Sequence, residues 1–151
     1  MSPPSATFEA LVFQLGEELA AFPLAAVQEV VPIATTVELP ESPAWVVGVM
    51  DVRGELVPVL DVWSRIHQRE RALELSDQVI VCESGTRRVG LLVQDVHQVQ
   101  TIVPERLIAD PGSVEAAAYL LGAYPAAEGS LLVLDVDRLV QRSDLPEEPE
   151  A

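Results

Sequence analysis

Three side chains in this sequence are of the types that hydrolases use: the carboxylates of Asp51 and Asp61 and the thiol of Cys82. Two carboxyl groups in unlike surroundings can act as a general acid and a general base. A cysteine becomes a nucleophile when a histidine takes its proton, and His67 or His97 would have to serve. The sequence therefore leaves open a small hydrolase that uses Asp51 and Asp61, or Cys82.

The same residues also have plainer structural interpretations. Asp61 and Asp135 each stand directly before a short helical pattern, where a carboxylate accepts hydrogen bonds from the first backbone N–H groups. Cys82 alternates with Ile80 in an apolar strand pattern, and such a cysteine behaves as a small apolar residue. Zinc spacings, phosphate-binding glycine loops and nucleophile elbows are absent from the sequence. We therefore predict no enzyme, no cofactor and no metal site.

The charge balance limits the partners of the chain. Its 151 residues include 24 acidic and 9 basic ones, all arginine, for a formal net charge of −15. Nucleic acid and anionic membranes bind clustered cations, so neither nucleic-acid binding nor direct membrane insertion is expected. A single cysteine forms no internal disulfide, and neither a signal peptide nor a membrane-spanning apolar run is visible. We therefore predict a cytoplasmic protein.

Short strands are the elements that must position these residues. Valine-rich runs separated by glycine and proline predict strands, whereas helical patterns are brief, at 62–67 and 137–142, with single turns at 24–27 and 44–47. Long amphipathic helices are missing, which disfavours helical bundles and doubly wound α/β folds. The predicted strands are 8–15, 19–23, 27–31, 47–52, 55–60, 78–83, 88–93, 96–102, 120–124 and 131–134.

The strand pattern occurs twice along the chain. The block at 12–30 is matched 69 residues later, and the block at 46–62 is matched 74 residues later. The offset grows by five residues, which places an insertion in the 104–118 connection. Because closing a sheet on itself removes its edges, we predict an all-β fold in which a five-stranded, barrel-like sheet is repeated twice, with a few short helices.

The segment from Val47 to Val62 resembles a known signature. It reads V-G-V-M-D-V-R-G-E-L-V-P-V-L-D-V and is similar to the G-V-x-N-x-R-G-x-x-x-P-V-x-D-L signature of the CheW family of bacterial chemotaxis coupling proteins. The blocks at 27–30, 90–93 and 119–122 also resemble that family, so the similarity covers about residues 7–141. The family's usual Asn is Asp51 here, and its usual Asp is Gln94.

The resemblance implies two five-stranded barrel-like subdomains that share a hydrophobic core. We therefore predict one CheW-like domain over 7–142, with subdomains at about 8–67 and 77–142 between which the first strand can exchange. Residues 143–151 are acidic and proline-rich and are predicted to form a disordered tail.

The resemblance also implies a function without catalysis. CheW proteins couple the cytoplasmic tips of methyl-accepting chemoreceptors to the regulatory domain of a CheA-type histidine kinase. The chain is therefore expected to be a cytoplasmic adaptor that is recruited to membrane-associated receptor arrays. Related coupling proteins serve pilus-driven motility or second-messenger signalling, and the sequence leaves these systems open as alternatives.

The resemblance assigns the partner-binding residues one by one. Arg53 occupies the signature arginine, associated with receptor binding, while Val27 and Glu29 match positions of receptor contact. Gly48 matches a glycine at which coupling is sensitive to substitution. Valines at strand spacing beside it either pack in the core or form a groove for an amphipathic helix. The predicted partner-binding residues are Val27, Glu29, Gly48, Val49, Arg53 and Val57.

Overall fold

The computed structural model describes residues 6–109, 115–126, 129–140 and 145. Over these residues the chain is built mainly of strands, which confirms the all-β class. The strands are β1 Phe8–Leu15, β2 Glu18–Pro23, β3 Val27–Pro32, β4 Thr36–Val37, β5 Val46–Val52, β6 Glu55–Asp61, β7 Gln78–Ser84, β8 Arg87–Val93, β9 Asp95–Ile102, β10 Leu120–Ala126 and β11 Gly129–Leu134. The α-helices are α1 Val62–His67 and α2 Val136–Leu139, and short 3-10 helices cover Leu24–Ala26, Pro104–Arg106 and Glu115–Tyr119.

The ten predicted strands are all present, with each end within two residues of its predicted position. The two-residue strand β4 was not predicted. The turn expected at 44–47 is present at residues 44–45, where the backbone N–H of Val46 donates to the carbonyl oxygen of Pro43 at 3.0 Å, and β5 begins at Val46. The second predicted helix is found at Val136–Leu139. The predicted tail at 143–151 lies outside the described residues, apart from Leu145.

The strands form two sheets, each of which contains strands from both halves of the sequence. The first sheet has the order β10-β11-β2-β1-β9 and the second has the order β3-β7-β8-β6-β5-β4. The second sheet has six strands rather than five because β4 is added at its edge. The hairpin β1–β2 pairs with β9 and β11, and the hairpin β7–β8 pairs with β3 and β6. The two halves thus exchange whole hairpins in equivalent registers.

Side chains that alternate along the strands fill separate cores. One face of each sheet encloses its own cluster, represented by Val12 in the first sheet and Met50 in the second. The opposite faces meet in a shared core, where the rings of Phe13 and Phe22 lie 4.7 Å apart and contact residues of both halves. This shared core positions α1 and α2 beside each other, since both helices contribute side chains to it.

Arg65 of α1 joins the two halves. Its side chain is buried, and its guanidinium lies 4.9 Å from the ring centre of Trp45 and 5.1 Å from that of Tyr119. Its Nε donates a hydrogen bond to the carbonyl oxygen of Leu139, at 3.0 Å. Trp45 and Tyr119 are separated by the 74-residue offset of the second repeated block, so one arginine stacks between two equivalent aromatic residues. Over the part of the chain that the structure describes, no helix has the length and apolar character needed to cross a bilayer.

Candidate functional site

The signature arginine lies in a two-residue hairpin turn between β5 and β6. Arg53 and Gly54 have φ values of 54° and 86°, between the paired residues Val52 and Glu55. Positive φ at both positions is typical of a type I′ turn, whose first position favours Asn, Asp or Gly. An arginine in this conformation costs about 1 kcal/mol relative to glycine. Turn geometry therefore does not explain why this position holds arginine.

The turn is reinforced by the side chain of Asp51. Oδ1 of Asp51 accepts a hydrogen bond from the backbone N–H of Gly54 at 2.7 Å. Asp51 is exposed near the end of β5, and its carboxylate stabilises the turn.

Arg53 reaches across the second sheet to Glu29. The Arg53 side chain is 77% exposed, and its Nε lies 2.9 Å from Oε2 of Glu29. Glu29 is on β3, three strands away from β6 in the order of the sheet. In a flat sheet β3 and β6 would lie about 14 Å apart, so this pair links residues that are distant along the sheet.

Arg88 on β8 extends this contact into a network. Its Nη2 lies 3.6 Å from Oε1 of Glu29, its Nη1 contacts the carboxylate of Glu55, and its Nε donates to Oε1 of Gln28 at 2.8 Å. We call Gln28, Glu29, Arg53, Glu55 and Arg88 the Arg53 cluster. Exposed ion pairs of this kind contribute about 0–1 kcal/mol each, so a partner can replace them at low cost.

The other predicted site residues differ in accessibility. Val27 and Val49 are partly buried, and Val27 packs against the shared core. Val49 lies between β4 and β6, opposite Val37 and Pro58. Val57 has no exposed surface and belongs to the inner cluster of the second sheet, so it cannot contact a partner directly.

Gly48 is buried where β4 crosses close to β5. Its φ is 146°, and a Cβ added there would lie 2.4 Å from the carbonyl oxygen of Val37. Glycine is therefore required both by the backbone conformation and by the close approach of β4. Gly48 acts on the surface indirectly, because it allows β4 to add to the sheet edge.

The two aspartates that would form an acid–base pair are not assembled. Asp51 lies opposite Leu56 in the β5–β6 ladder, whereas Asp61 ends β6 five residues further on, about 16 Å away at the usual rise per residue. Asp61 caps α1 by accepting from the backbone N–H of Ser64 at 3.3 Å, and Asp135 caps α2 by accepting from that of Asp137 at 3.0 Å. The prediction of helix caps is confirmed.

Asp61 is also part of a buried ion network. Arg71 places its Nε 3.0 Å from Oδ2 of Asp61 and its Nη1 3.0 Å from Oδ2 of Asp77. Burial raises the pKa of Asp61, and the positive charge of Arg71 opposes that effect. The network ties the segment between the two halves to the first turn of α1.

Cys82 lies in the shared core with no exposed surface. Burial raises the pKa of its thiol to about 12, which keeps it protonated near neutral pH. His67 stacks on Trp63 at 4.6 Å and bonds to Glu115, while His97 lies 3.8 Å from Asp95. Among the described residues, His, Cys, Asp and Glu side chains form no group of three or more that could hold a metal ion.

The burial of Cys82 predicts slow alkylation. At pH 8 we expect iodoacetamide to label the native protein at least about tenfold more slowly than the chain unfolded in guanidinium, because the thiolate is the reactive form. Mass spectrometry follows this directly, since the chain has one cysteine. Equal labelling rates in the two states would show an accessible thiol and revive the nucleophile interpretation.

Sequence reasoning missed Gln28, Glu55 and Arg88 as members of the cluster. Arg88 lies 35 residues after Arg53 in the sequence, and only the pairing of β8 with β6 brings it to the turn. The matched blocks of the repeat indicated that the two halves of the chain have the same strand pattern. They did not indicate which side chains meet across a sheet. Long-range strand pairing is the physical reason that local sequence could not reveal this network.

Comparison with known proteins places these features in a family context. The sequence model of a family described as CheW-like domain matches residues 9–144. The chain is 27% identical over 144 residues to a chemotaxis protein CheW from Treponema pallidum, covering 91% of this chain and 85% of the relative. It is 26% identical over 136 residues to protein FrzA from Myxococcus xanthus, covering 88% of this chain and 85% of the relative. The crystal structure of the scaffolding protein TtCheW from Thermoanaerobacter tengcongensis superimposes with a TM-score of 0.81, at 24% identity, covering 95% of this chain and 92% of the other.

Proposed function

Because this chain belongs to the family of CheW-like domain proteins, we propose that it is a non-catalytic adaptor in chemosensory signalling. It couples the cytoplasmic tip of a chemoreceptor to the regulatory domain of a CheA-type histidine kinase. In this proposal the protein is cytoplasmic and is recruited to membrane-associated receptor arrays. The family match and the chemotaxis proteins among its relatives support the signalling role.

The observation that carries the proposal is the placement of Arg53. Its side chain is exposed and stands at a turn position where arginine is conformationally unfavourable. It is held by Glu29 in an exposed pair that a partner carboxylate or carbonyl group can replace. Arginine presents five donors in a planar fork, which suits such acceptors. The strain at the turn is thus consistent with selection for binding.

The neighbouring residues have separate roles in this proposal. Glu29 orients Arg53, and the partly exposed Val27 and Val49 supply apolar contacts for a receptor helix. Gly48 and Val57 act from below the surface, by allowing β4 to approach and by packing beneath β6. The motility or signalling system that the protein serves, including pilus-driven motility or second-messenger signalling, stays a prediction.

An Arg53→Asn substitution separates binding from folding. Asn suits the positive φ of this turn, so the free energy of unfolding is expected to stay within about 1 kcal/mol of the original or to rise. Affinity for a receptor-tip fragment is expected to fall by at least about tenfold, as the charged fork is lost. Calorimetry of binding and thermal unfolding give the two quantities.

An Arg69→Asn variant is the matched control. Arg69 is also an exposed arginine, stacked on Trp63 at 5.3 Å, and it lies outside the Arg53 cluster. Its receptor affinity should be unchanged. If the Arg53 variant binds the receptor fragment as tightly as the control does, Arg53 is not part of the receptor site.

A further inference from the structure

A groove lies between the β4–β5 connection and the segment that joins the two halves of the chain. Its cavity of about 320 Å³ falls at the lower end of the range for ligand pockets. Polar atoms contribute the larger part of its surface, and none of its lining residues belongs to the Arg53 cluster. The apolar residues that line it are Leu39, Pro43, Ala44, Val46, Val47 and Leu73.

Acidic side chains line the groove. Glu38 and Glu70 line it and are exposed. Arg71 also lines it, but this guanidinium is shared between the carboxylates of Asp61 and Asp77, which leaves one negative charge in excess. The buried Nη2 of Arg71 has no acceptor among the described residues, and a neutral carbonyl oxygen of a bound segment would suit it. Because the carboxylates around the groove outnumber this guanidinium, a cation is attracted to the groove, whereas an acidic peptide or a phosphate is repelled.

The edges of the groove also expose apolar surface. Leu73 is 48% exposed, and Leu75 on the same segment is fully exposed. On the other side, Val37 on the edge strand β4 is 68% exposed, next to Glu38. Glu41 has a φ of 60°, a strained conformation for this residue, one position before the lining residue Ser42. Apolar surface with polar edges is typical of a protein-binding site.

We propose that this groove binds a short segment of a partner protein that carries arginine or lysine between apolar side chains. The apolar side chains of the segment pack against Leu39, Val47 and Leu73, and its cations pair with Glu38 and Glu70. The cavity accommodates one or two side chains, so the segment is short. This second docking surface shares no residue with the Arg53 cluster, although its Val37 edge lies opposite Val49, and it would let the adaptor engage a further segment while Arg53 is occupied.

Two fluorescein-labelled peptides, GLRLRLG and GLELELG, test the proposal by fluorescence anisotropy. At about 150 mM salt, long-range attraction is screened, and the basic peptide is expected to bind with a dissociation constant below about 100 µM. The Glu38→Gln/Glu70→Gln double variant, and separately the Leu73→Ser variant, should each weaken binding at least about fivefold. The acidic peptide should bind at least about tenfold more weakly.

A second double variant controls for net charge. Glu17→Gln/Glu18→Gln removes the same charge from the exposed β1–β2 turn and should leave the affinity within about twofold. Equal weakening by both double variants would overturn the proposal, because it would show non-specific attraction to an acidic protein. Absence of binding by the basic peptide up to about 1 mM would also overturn it. The Arg53→Asn variant should bind the basic peptide normally, so failure of this site is distinguishable from failure of the receptor site.

Discussion

A Gly48→Ala substitution is expected to lower the free energy of unfolding by about 3 kcal/mol, equivalent to a fall in Tm of about 6–12 °C. The added Cβ would meet the carbonyl oxygen of Val37 at 2.4 Å and its carbonyl carbon at 2.9 Å, both of them backbone atoms. The φ of 146° adds backbone strain for any residue with a side chain. Since backbone cannot rotate away as a side chain can, β4 must move off β5. Thermal unfolding followed by circular dichroism measures the loss.

Gly85→Ala is the matched control for this prediction. Gly85 also has a positive φ, 61°, but a Cβ there meets nothing within 4 Å. The Gly85→Ala substitution should lower the free energy of unfolding by only about 1 kcal/mol, because only the left-handed backbone conformation opposes a side chain there. If the two alanine variants lose the same free energy of unfolding, the close approach of β4 is not the reason for glycine at position 48. If Gly48→Ala weakens coupling, displacement of Val37 and Val49 at the sheet edge is the expected route.

An Arg65→Ala substitution is expected to destabilise the protein by about 3 kcal/mol or more. It removes a buried guanidinium from between Trp45 and Tyr119, and with it the charged hydrogen bond to the carbonyl oxygen of Leu139. The space left behind lies where the two halves meet, so their relative packing weakens as well. Urea unfolding measures the change through the midpoint at constant m value.

Arg65→Lys and Arg69→Ala separate the contributions to this effect. Lysine keeps the charge but lacks the planar group that stacks on two rings, so an intermediate loss is expected. Arg69 lies over one ring, that of Trp63, and is exposed, so its removal should cost less than about 1 kcal/mol. A loss at Arg65 no larger than that at Arg69 would contradict the role of Arg65 in joining the halves.

Local sequence patterns predicted most of the strands because each contains a short apolar run bounded by a turn residue. β1 and α1 match their predicted bounds residue for residue. The helix caps at Asp61 and Asp135 were also predictable, since a cap depends on contacts within three residues. β4 was not predicted, because a strand of two residues has no hydrophobic periodicity. Its position depends on the close approach of β4 to β5 that Gly48 permits.

The candidate site was only partly predictable. Arg53 and Glu29 were selected by resemblance, and their ion pair depends on the strand order that places β3 and β6 in one sheet. Burial along β6 does not alternate, because Glu55 and Leu56 beside the turn are exposed and every residue from Val57 to Asp61 is buried. The valine-rich sequence of this strand gives no sign of where the buried part begins. The exchange of hairpins between the halves is a long-range pairing that local patterns do not encode.

The most direct test of the adaptor role is the phosphorylation rate of a CheA-type kinase in reconstituted receptor patches, measured with and without this protein. We expect the protein to raise the receptor-dependent rate at least about tenfold, and the folded Arg53→Asn variant not to do so. Equal rates with the protein, with the variant and with neither would contradict the claim that this chain couples receptor to kinase through Arg53.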